Sequence, residues 1–147
     1  MYRSGDGGNT WADLQPPGFT NGTRGLVVAP SKGTVLYRIG ANNGSPRPER
    51  SDDRAQSWRA APLPHGETPT TLAVDPRDEN SVWAAVFPVF LYSSRGLFHS
   101  TDGGAHWVEV KGPFGEPVSP SALRFDPSGR VLHVAYANHG VWELEIQ

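Results

Sequence analysis

Apolar positions along this chain fall in short runs of β type separated by turn residues, and no window sustains the 3.6-residue period of an amphipathic helix. Alternation is clearest in Val131-Leu-His-Val-Ala-Tyr136, whose period of two predicts a strand with one buried face. Three segments share an opening pattern: Leu26-Val-Val-Ala29-Pro30, Leu72-Ala-Val-Asp75-Pro76 and Leu123-Arg-Phe-Asp126-Pro127. Each is followed by a short turn and a second β-rich run, over 34–39, 81–87 and 130–136. Between them stands another recurring string: Ser4-Gly-Asp6-Gly-Gly8-Asn-Thr10-Trp11, Ser51-Asp-Asp53-Arg-Ala55-Gln-Ser57-Trp58 and Ser100-Thr-Asp102-Gly-Gly104-Ala-His106-Trp107. Its tryptophans are spaced by 47 and 49 residues, and the prolines of the first pattern by 46 and 51. Two unrelated motifs that keep one period define a repeat unit.

The unit reads as strand A, a turn, strand B, a loop, strand C, the Ser–Asp turn, and strand D running on from the tryptophan. Strand C is visible at 96–100 and 140–144. Four strands in about 45 residues is the size of a propeller blade, so the expected class is an all-β propeller of four-stranded antiparallel blades. One module covers 1–147: a partial blade over 1–24, blades over 25–68 and 69–121, and a partial closing blade over 122–147. The N-terminal piece supplies the end of a strand C, its turn and a strand D. The C-terminal piece supplies A, B and C. Joined, they make one composite blade and about three blades per chain, whereas closed propellers have at least about four. The expectation is a homodimer closing a six-bladed ring, or a segment of a longer propeller.

The Ser–Asp strings resemble the Asp box, or BNR repeat, Ser-x-Asp-x-Gly-x-Thr-Trp. Ser4 to Trp11 matches every fixed position, the third copy has His106 for Thr, and the second has Ala55 for Gly and Ser57 for Thr. The stretches 72–83 and 96–104 are similar to blades of xyloglucanase-like, sortilin-like, photosystem-assembly-factor-like and sialidase-like propellers. The resemblance implies that Ser4, Asp6, Gly8, Thr10, Trp11, Ser51, Asp53, Ser57, Trp58, Ser100, Asp102, Gly104 and Trp107 are structural, locking the C–D turn away from the ligand face. The Asp accepts N–H groups of its own turn, the glycines take positive φ, and the indole packs back over the hairpin. A calcium reading fails for want of the alternating ligands and closing Glu of a calcium loop.

Composition narrows the chemistry. Gly (17) and Pro (14) suit many turns, and the net charge of −2 with scattered arginines offers no surface to track phosphates, so nucleic acid is not expected as a partner. Cysteine is absent, which removes disulfides and thiolate catalysis. The longest apolar stretch, 84–92, contains Pro88 and is too short to span a bilayer. No signal peptide opens the chain, so the expected compartment is cytoplasmic if the chain is complete and extracellular if it is a fragment. His65, His99, His106, His133 and His139 show no zinc spacing, no Gly-rich phosphate loop precedes a helix, and no cofactor or metal is expected.

Propeller ligands sit where the A strands converge, beneath the D–A and B–C loops. Those loops are expected over 15–24, 40–50, 61–70, 87–95, 111–121 and 137–139. They carry Arg24, Asn42, Asn43, Arg47, Glu49, His65, Glu67, Tyr92, Arg95, Glu116, Asn138 and His139 as candidate ligand residues for a glycan or a protein. Each taken singly reads better as an ordinary polar loop residue. Glycoside hydrolysis needs two carboxylates across a cleft, and Glu49, Glu67, Asp78, Glu79 and Glu116 are available. Asp75 and Asp126 precede prolines at equivalent positions and read as strand-ending turns. Tyr37-Arg38-Ile39-Gly40 resembles the Tyr/Phe-Arg-Ile-Pro motif of sialidases, but Gly40 replaces the proline and the rest of that catalytic set is missing. Arg38 therefore reads as a surface residue of strand B. The apolar stretch 87–92, a lengthened B–C connection, reads as a contact patch in preference to a plug of the central channel or an extension of strand B. The catalytic residues stay unknown, and a noncatalytic binding or scaffold module is favoured over a sialidase-like or xyloglucanase-like hydrolase half-ring.

Overall fold

The computed structural model describes residues 2–13, 22–41, 45–86, 96–111, 120–136 and 139–147. Among them there is no helix, and thirteen strands form four antiparallel sheets. The first is a two-stranded hairpin of β1 (Tyr2–Arg3) and β2 (Ala12–Asp13). The second, here blade 1, orders β3 (Thr23–Val28), β4 (Leu36–Gly40), β5 (Arg47–Ser51) and β6 (Arg59–Ala60). Blade 2 follows with β7 (Pro69–Val74), β8 (Val82–Val86), β9 (Gly96–Ser100) and β10 (Val108–Val110). The last sheet holds three strands, β11 (Pro120–Phe125), β12 (Val131–Tyr136) and β13 (Gly140–Glu145). Strand succession in every sheet is that of neighbours in sequence, the meander of a propeller blade.

Each first strand carries a register shift at the same place: between Arg24 and Leu26, Pro69 and Thr71, and Pro120 and Ala122. A bulge there re-aims the side chains that follow, so that both faces of a blade are dressed for burial from the same offset. Blade 1 presents Val27, Tyr37 and Ile39 to Leu72, Val74, Val82, Ala84 and Phe98 of blade 2. The reverse face of blade 2, with Ala73, Trp83, Ala85 and Leu97, packs on Leu123, Leu132, Val134 and Tyr136 of the three-stranded sheet. Blade 2 is thus buried on both faces, and all five residues of β8 are buried.

Three expectations are corrected. Arg24 lies inside β3, and Arg47 and Glu49 lie inside β5, so the loops they were assigned to are shorter than expected. Arg38 is not a surface residue: it is 5% exposed and pairs with Glu49. Within one chain, the N-terminal hairpin and the three-stranded sheet remain separate sheets, so the two partial pieces do not join as one.

Candidate functional site

The Ser–Asp turns repeat one geometry three times. Ser4, Ser51 and Ser100 each donate from Oγ to the Oδ1 atom of Asp6, Asp53 and Asp102 at 2.8 Å. The same Oγ accepts the backbone N–H of Gly8, Ala55 and Gly104 at 2.7–2.8 Å. The carboxylate then accepts the N–H of Thr10, Ser57 and His106, each at 2.9 Å. In the third copy His106 Nδ1 lies 2.6 Å from Asp102 Oδ2, so the imidazole takes the place of the threonine hydroxyl. These bonds favour the ionised carboxylate. Chiefly through Thr10, they hold Asp6 down at about 2, and chiefly through Ser57, Asp53 at about 2. Asp102 is held lower still, first by the His106 N–H.

The turn is also a joint between blades. Trp107, 8% exposed, belongs to the core shared by blades 1 and 2, and its Nε1 donates to the Ala61 carbonyl at 3.2 Å. Arg59 donates to the Gly103 carbonyl at 3.1 Å. A Cβ on Gly104 would lie 2.5 Å from that of Ala61, and both Gly103 and Gly104 have positive φ. Blade 1 reaches the other way through Arg50, whose Nη1 donates to the Tyr37 hydroxyl at 2.9 Å and to Asn80 Oδ1 at 2.8 Å. Tyr37 in turn donates to the Glu79 carbonyl at 2.7 Å. Burial pushes the Tyr37 phenol up to about 12, against the pull of Arg50. Trp58 covers the outer face of blade 1 at the Arg38 guanidinium, 4.2 Å away. Trp11 folds over its own hairpin, donating to the Gly8 carbonyl at 3.0 Å, yet stays 62% exposed.

Of the candidate ligand residues, Arg24, Arg47, Glu49, His65, Glu67 and His139 lie among the described residues. Asn42, Asn43, Tyr92, Arg95, Glu116 and Asn138 lie outside the described residues, as does the stretch 87–92. Arg24, His65 and His139 are exposed. Glu49, 4% exposed, accepts from Arg38 Nε at 2.8 Å and Nη2 at 2.7 Å, and lies 3.9 Å from Arg47 Nε. Glu67, 7% exposed, accepts the His65 N–H at 3.0 Å on one oxygen, while the other has no partner. Asp75 takes three bonds from Arg77, and Asp126 closes its turn on Ser128 and Val131. Among the described residues no cluster of three metal-ligating side chains forms. Arg50, Glu79 and Asn80, which tie the blades, were not singled out from sequence as a joint; their only signal is position, just before a Ser–Asp turn and within an A–B turn.

No protein-family model matches the chain, and no curated protein does. Solved structures do. A GH74 enzyme from Niastella koreensis superposes over 84% of this chain and 21% of its own, with a TM-score of 0.60 and 18% identity. YCF48 from Cyanidioschyzon merolae matches over 88% of this chain and 36% of its own, at TM-score 0.62 and 12% identity. YCF48 bound to D1 peptide covers 95% of this chain, at TM-score 0.58 and 18% identity. The chain spans 21% of the first and 42% of the last of these proteins. At such identities the likeness speaks to fold alone. The sheets, their order and these neighbours agree: the chain is an arc of a β-propeller.

Proposed function

We propose that this arc belongs to an Asp-box propeller that binds or scaffolds a protein segment or a glycan, with blades over 25–68 and 69–121. The observation that supports binding over hydrolysis is the state of Glu49. A catalytic carboxylate must face substrate, and Glu49 is instead buried and neutralised by Arg38 within its own sheet. Glu67 keeps one oxygen without a partner, which suits it to accept a donor from a ligand. The peptide carried by YCF48 is the precedent for a protein ligand on this fold. Two copies of the chain complete one ring in this reading.

Peptide and glycan arrays, run beside a panel of fluorogenic glycosides, test the proposal. Saturable binding without turnover, weakened by Glu67→Gln, is the expected result. Turnover lost in Glu67→Gln would overturn it in favour of a glycoside hydrolase.

A further inference from the structure

The joint between blades 1 and 2 is sealed by the Trp107 ring, which bonds to Ala61, the residue after β6. Carrying the register one sheet onward puts Val110 in the place of Ala61 and Leu97 in that of Pro48. On the facing sheet, Val134, Tyr136 and Trp142 stand where Ala84, Val86 and Phe98 stand. These residues line a cavity of about 80 Å³ between blade 2 and the three-stranded sheet, with Lys111 and Glu143 at its rim. Leu144 occupies the position of the turn serine, and among the described residues no tryptophan lies in the place that Trp107 takes one joint earlier. Among the described residues no strand pairs with the outer edge of β13. The cavity therefore lies at the position that the Trp107 ring fills one joint earlier.

Elsewhere the chain holds the complementary part. Trp11 is 62% exposed on a complete Ser–Asp turn, and β2 runs on from it as β6 and β10 run on from Trp58 and Trp107. Among the described residues two rungs, Tyr2 with Asp13 and Arg3 with Ala12, hold β2 to β1. The bonds from Thr10 to Asp6 are internal to the turn and survive an exchange of strand partner. The rim charges Lys111 and Glu143 find opposite signs in Asp13 and Arg3 of the hairpin.

We propose that β2 of a second copy adds to the free edge of β13 as its fourth strand, and that Trp11 of that copy fills the cavity between Val110 and Trp142. The inference rests on the reading that two copies complete one ring. Apolar burial of one indole at each of two equivalent seats supplies the anchor of the contact.

Sedimentation velocity tests it, with circular dichroism on every variant. The wild type is expected as a dimer of 15.9 kDa chains. Trp11→Ala, which lacks the indole, and Val110→Trp, which fills the seat from below, are each expected to be folded monomers. Mixed together they regain a dimer, because one intact seat meets one intact donor. A second measurement does not depend on either variant: the chain has no cysteine, so a short bis-maleimide should link Ala12→Cys copies to Lys111→Cys copies and form no such link within a copy. A wild-type dimer unchanged by Trp11→Ala, or absence of the cross-link, overturns the seat while leaving the two-copy ring standing. A wild type that stays monomeric at all concentrations overturns both. Recovery of a different protein in the cavity, with Trp11 unprotected, assigns the seat to another donor and overturns the proposal.

Discussion

Ala55 and Gly104 occupy the same position in successive turns and both have positive φ, 69° and 87°. The left-handed region costs a residue with a Cβ roughly 1–2 kcal/mol, and Gly removes that cost at some loss of chain entropy. Ala55→Gly is therefore expected to stabilise by a few tenths to about 1 kcal/mol. Gly104→Ala meets the same strain and also Ala61, so it should destabilise by about 2–4 kcal/mol; urea midpoints of the two variants measure the contrast. The turn carboxylates set the acid response. Asp6 and Asp53 sit at about 2 in the folded chain against 3.8 when unfolded. A depressed folded value means that ionisation favours the fold. Their stabilisation is complete above about pH 4 and drains away as pH falls toward 2. Urea midpoints taken from pH 6 to pH 2.5 should fall across that window, and Asp53→Asn should flatten the decline.

Among the elements, the pairing of β4 with β5 holds the greatest electrostatic stake. Arg38 and Glu49 face each other in register, both almost fully buried, beneath the Trp58 ring. Removing Arg38 leaves the buried Glu49 with Arg47, at 3.9 Å, as the remaining counter-ion, a loss of up to about 3–5 kcal/mol, whereas an apolar pair of like volume is close to neutral. Arg38→Ala should thus lower stability by that amount, and Arg38→Met with Glu49→Leu should recover most of it in thermal melts read against the wild type. This pair also shows where sequence reading stops. The Ser–Asp turns were legible because the bonds made by their Ser and Asp side chains close within eight residues, from Ser4 to Trp11, for example. The strands were legible from alternation and from the repeated Leu-to-Pro string. That Arg38 meets Glu49 depends on how many residues the B–C connection uses, and two exposed-looking charges became buried once β5 began at Arg47. The joint of Arg50 with Asn80 lay further out of reach, since it exists only after two sheets have packed.

At the scale of the molecule, stability is graded along the arc. Blade 2 is covered on both faces, while the three-stranded sheet and the N-terminal hairpin each have a side turned to solvent. Amide exchange should accordingly be slowest in β8 and fastest in β1 and β13, because local opening costs least where apolar contact is sparse. Mass spectrometry of exchanged peptides checks the order, and equal protection of β8 and β13 would contradict it. Trp107→Ala, which unseals the joint between blades 1 and 2, should cost about 3–5 kcal/mol and raise exchange in β6 and β10 together.

Gly103 leaves room for Arg50 of the neighbouring blade, and the next blade along presents His99 at the position of Arg50. Consecutive repeats are therefore mated pairs, not interchangeable tiles. A chimera that sets a copy of blade 1 beside blade 1 would bring Arg54 where Gly103 belongs, against Arg50, and set one cation against another across the seam. Tandem copies that began alike have in this way lost their freedom to permute, and lengthening the arc by inserting a duplicate requires matching substitutions on both flanks of the insertion.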